Sequence, residues 1–72
     1  MVSTYTARYV KTESGYMGQL MDWPEVISEG KTLEECRECL QDALKEMIKA
    51  YRQQRKVVPT VRALLELIPA EI

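Results

Sequence analysis

The sequence predicts an α+β fold, a mainly antiparallel sheet of three to four strands with one long helix packed on one face. Three observations carry that prediction. The first 29 residues alternate β-branched and aromatic types with turn formers, a helix-capping signal stands at Thr32–Glu35, and apolar residues then recur at spacings of three and four. Seventy-two residues, 46% of them hydrophobic, make one domain with a small core. A core of that size leaves apolar surface over, which favours a second copy or another protein as partner.

Residues 4–12 (TYTARYVKT) read as the first strand, with Tyr5, Ala7 and Tyr9 on one face and Thr4, Thr6 and Arg8 on the other. Glu13, Ser14 and Gly15 supply the turn of a hairpin. Residues 16–22 form the second strand, in which Gly18 signals a bulge or a close backbone approach. Asp22-Trp23-Pro24-Glu25 breaks it, because proline fixes its own φ and keeps Trp23 out of the α region. Residues 26–29 return as a short third strand that Gly30 ends.

Thr32-Leu33-Glu34-Glu35 fits a capping box, with Thr32 and Glu35 as its reciprocal members and an acidic first turn suited to the helix dipole. From there Leu33, Cys36, Leu40, Ala43, Leu44, Met47, Ile48 and Tyr51 form one stripe of a helix reaching about Gln54. Glu34, Glu38, Asp42, Lys45, Glu46 and Lys49 take the opposite side. Beyond Pro59, residues 62–68 are apolar and helix-favouring by propensity, but short and bounded by a second proline, Pro69.

Chemistry is bounded mainly by exclusion. Ten Lys and Arg against 11 Asp and Glu give a net charge of −1, so no general basic field exists for a phosphate backbone. Lys49, Arg52, Arg55 and Lys56 read instead as cations complementing the helix C-terminus. With no histidine there is no Ser-His or Cys-His pair and no imidazole base, so no catalytic residue is assigned and an enzyme is not expected. Cys36-Arg-Glu-Cys39 offers two ligands where zinc wants four, and the preceding glutamates oppose a thiolate. Cys36 is therefore read as a core residue and Cys39 as flanking the stripe, with no metal and no cofactor. Asp22 is the one acid in a distinctive place, read as a turn former. No stretch approaches the ~20 apolar residues of a membrane span, no signal-peptide layout opens the chain, and the expected compartment is the cytoplasm.

The pattern Gly15-Tyr16, then Leu20-Met21-Asp22-Trp23-Pro24, then Val26, then Glu29-Gly30-Lys31-Thr32-Leu33-Glu34-Glu35-Cys36 resembles the HicB-like antitoxin family over about residues 4–59. Met21, Glu25 and Cys36 depart from the family pattern, the first two at the exposed corner. The resemblance implies a β-β-β-α-β domain, a degraded ribonuclease-H-like fold without catalytic acids, whose last strand is residues 62–68. It implies an antitoxin that masks a HicA-type toxin, a small ribonuclease. With no room for the further domain that many members carry, a single domain over 1–72 without direct DNA binding is expected. Candidate contacts with a basic toxin are Asp22, Trp23 and Glu25 at the corner and Glu34, Glu38 and Asp42 on the helix. Trp23 serves either as an anchor for the partner or as a cap on the core. The alternative function is an orphan, self-associating domain, a homo-oligomer without a toxin.

Overall fold

A computed structural model describes residues 4–60 and 66–72 of the chain. Three strands, β1 (Ala7–Thr12), β2 (Gly15–Leu20) and β3 (Ile27–Gly30), precede one helix, α1 (Leu33–Gln53). Among the described residues the sheet is antiparallel in the order β1-β2-β3, and α1 packs on one face, closest to β3. The α+β fold is as the sequence predicts. Of the fourth strand expected at 62–68, residues 62–65 lie outside the described set, and residues 66–68 carry no strand.

Register explains which residues face the helix. Tyr9 stands opposite Gly18, and Gly18 opposite Ser28, so these share the covered face with Ala7 and Leu20. Val10, Met17 and Glu29 form the corresponding row on the open face. Gly18 sits in a regular ladder and is no bulge. A Cβ there would come within 3.0 Å of the Tyr9 ring and 3.1 Å of the Cys36 sulfur. Gly30 is tighter still, since a Cβ would lie 2.5 Å from the Cys36 backbone nitrogen. These two glycines let α1 approach the sheet closely, and Cys36 fills the contact, fully buried beside the Ser28 hydroxyl, which donates to the Cys36 carbonyl at 3.0 Å.

The helix begins as its cap predicts. Thr32 is extended, and its hydroxyl accepts from the Glu35 amide at 3.1 Å. The reciprocal bond from the Thr32 amide to the Glu35 carboxylate is not among those formed, so half of the box is built. Cys36 and Leu40 are buried, while Ala43, Leu44, Met47, Ile48 and Tyr51 are half-buried against the core, as the stripe requires. The exit is a Schellman turn. Lys56 N–H donates to the Tyr51 carbonyl and Arg55 N–H to the Arg52 carbonyl, with Arg55 in the left-handed region at φ 57°.

Candidate protein interface

The corner at residues 21–26 is built by hydrogen bonds that cross the chain. Val26 N–H donates to the Trp23 carbonyl at 2.9 Å, closing a turn with Pro24 at its second position. Leu20 N–H reaches the Val26 carbonyl at 3.0 Å, and the Gln19 side-chain amide donates to the Pro24 carbonyl at 2.8 Å. The Asp22 carboxylate accepts the Thr6 amide at 2.7 Å, while Met21 N–H donates to the Thr6 carbonyl at 2.8 Å. Asp22 thus joins the corner to the segment entering β1, sixteen residues away in sequence. Its role is not a turn within its own loop.

Trp23 points inwards. It is 2% exposed and joins Leu20, Val26 and Leu40 in the core, so its indole is the cap on the core and is not presented to a partner. Tyr51 meets it edge-on, with ring centroids 4.8 Å apart at 70°, and Tyr5 lies tilted at 6.2 Å. The indole nitrogen is buried without an acceptor. Two polar tips at the rim of this aromatic cluster are tied down. The Tyr51 hydroxyl donates to the Glu25 carboxylate at 3.1 and 3.2 Å, and the Tyr5 hydroxyl to the Pro59 carbonyl. Lys56 lies 5.3 Å from the Tyr51 ring centroid, bringing a cation beside Glu25's partner. Sequence reading placed Tyr51 on the apolar stripe but could not reveal its hydroxyl, because Glu25 is 26 residues away.

Glu34, Glu38 and Asp42 are all exposed and follow one another at four-residue intervals along the outer side of α1. Glu35 extends the same acidic start, and Lys45, Lys49 and Arg52 take over towards the C-terminus. Tyr51, which holds Glu25, lies nine positions past Asp42, about 13 Å along the helix and about 180° around it. The corner and the acidic row are therefore two surfaces on opposite sides of α1, and only the row is a continuous line of free carboxylates. Cys39 is exposed and Cys36 buried, both as free thiols. No described helix is long and apolar enough to cross a membrane.

The elements just described coincide with a recognised sequence unit: residues 4–59 match the UPF0150-like family. The chain belongs to the UPF0150-like family. That family is related to the HicB-like toxin–antitoxin proteins. No curated protein and no solved structure matches the chain. The UPF0150-like unit begins just before the Thr6–Asp22 clasp and ends at Pro59, whose carbonyl receives the Tyr5 hydroxyl. It therefore takes in both the bond that ties the N-terminal segment to the corner and the one that joins the two ends of the unit. Residues 66–72 lie beyond it and are exposed throughout.

Proposed function

We propose that the chain is a non-catalytic protein-binding module of the antitoxin type, masking a basic, HicA-type ribonuclease toxin with the acidic row of α1. The observation that carries the reading is that row: Glu34, Glu38 and Asp42, exposed at successive turns on the side of α1 away from the core. A nucleic-acid-cleaving toxin needs cations to hold phosphates, and a line of carboxylates on a rigid helix is complementary to them. Glu25 contributes at most from a separate patch, and Trp23 supports the fold. A sequence without histidine agrees with a masking role.

The test is co-expression with a HicA-type toxin, followed by affinity measurement. Reversing the row (Glu34→Lys, Glu38→Lys, Asp42→Lys) leaves the core untouched and should weaken the complex at least ~100-fold, since like-charge juxtaposition costs several kcal/mol. An unchanged affinity, or the absence of any complex with the wild-type chain, overturns this assignment. A second reading, self-association without a toxin, is favoured by a different observation: Leu67, Ile68 and Ile72 stand almost wholly in solvent.

A further inference from the structure

The strand order β1-β2-β3 leaves β1 paired on one side only among the described residues, with its second edge open. Beside that edge, between β1 and α1, runs a groove of about 340 Å³ walled by Tyr5, Ala7, Tyr9, Leu20, Leu40 and Leu44. Leu20 and Leu40 belong to the buried core, so the groove opens directly onto it. An unpaired strand edge over an apolar floor is a template for one more strand, because main-chain hydrogen bonds supply affinity and the floor takes alternate side chains.

The chain itself carries a segment of matching character. Residues 66–72 lie past the family unit and expose Leu67 at 99%, Ile68 at 77% and Ile72 fully. Adjacent residues of a strand point to opposite faces. With the segment beside β1, one of Leu67 and Ile68 would enter the groove and the other would prolong the row of Val10 and Met17 on the open face. Charge agrees as well: the charged side chains of β1 are Arg8 and Lys11, and those of the segment are Glu66 and Glu71. Pro69 suits an outer strand, which needs no donor on its solvent side.

We propose that two copies of this chain associate by exchange, each laying residues 66–72 along the free edge of β1 in the other copy, over the apolar groove. Each tail leaves its own body near that edge, where the Pro59 carbonyl is bound by Tyr5. A two-fold axis between the two edges therefore satisfies both tails at once, as a closed interface requires. This deepens the self-association reading and rests on it.

The experiment uses the full chain and its Leu67→Asp, Ile68→Asp double variant, compared by light scattering and by isotope-filtered NMR on mixed labelled and unlabelled protein. The wild type should be a dimer with intermolecular contacts from the Leu67 or Ile68 methyls to Leu40, Leu44 or Tyr9. The variant, altered only at exposed positions and folded by circular dichroism, should dissociate roughly 100-fold more readily. A variant as dimeric as the wild type, or a wild-type dimer whose tail contacts are intramolecular only, overturns the exchange while leaving self-association standing. A wild type that is monomeric at all concentrations overturns both.

Discussion

Trp23 concentrates the opposing forces of this fold at one residue. Its rings are shared between Tyr5 and Tyr51 and bury the corner, yet its indole nitrogen has no acceptor. An unpaired buried donor costs about 1–3 kcal/mol, whereas removing a buried indole altogether costs about 3–5 kcal/mol. Trp23→Phe deletes the orphan donor along with part of the volume, so the two terms oppose and the net loss should be below about 1.5 kcal/mol. Trp23→Ala should lose the full 3–5 kcal/mol, out of a total of about 4–11 kcal/mol expected for a domain this size. Urea unfolding followed by the helical circular dichroism signal distinguishes the two. A loss for Phe well above about 1.5 kcal/mol would show that the nitrogen has an acceptor whose bond is lost. Asp22 and Glu25 belong to the same scale: each carboxylate is engaged by a protein donor, Thr6 or Tyr51, and so serves architecture before any partner arrives.

At the scale of elements, α1 holds a strained exit. Arg55 occupies a left-handed conformation that disfavours every residue with a Cβ by about 1–2 kcal/mol. Arg55→Gly relieves that cost and gives back part of it by loosening the unfolded chain. A net gain of about 0.5–1 kcal/mol follows, visible as a higher urea midpoint at unchanged slope; a lower midpoint would mean that the Arg55 side chain holds the turn together. The start of α1, its stripe and its length were legible from sequence because capping and helical periodicity act within four residues. The strand ends were less so. Residues 4–6 are as β-prone as those that follow, but β2 ends at Leu20 opposite Ala7, and the Asp22 clasp takes over from the ladder. The inward turn of Trp23 and the Glu25–Tyr51 bond were illegible because they join residues brought together only by the completed fold. The acidic row was legible since its members share one helix, and the β1 edge left unpaired among the described residues became visible only once the strand order was known.

The whole molecule is less compact than its length allows. Its radius of gyration is 14.0 Å, against about 11 Å for a compact chain of this length. The buried hydrophobic side chains among the described residues are Leu20, Trp23, Val26, Cys36 and Leu40, a core that leaves the β1 groove and the terminal segment wet. If exchange of that segment adds to the core, association stabilises a fold that the monomer can also reach, and stability must depend on protein concentration. For a dimer of 72-residue chains that unfolds in one step, an unfolding enthalpy of about 0.7 kcal/mol per residue gives a rise in Tm of about 5 °C for each tenfold increase in concentration. Scanning calorimetry over a hundredfold range checks this, with the Leu67→Asp, Ile68→Asp variant as the reference whose Tm should stay flat. The sign of the comparison is decisive. A wild-type Tm that is equally flat would mean that the fold stands without exchange of the segment, which would overturn the exchange.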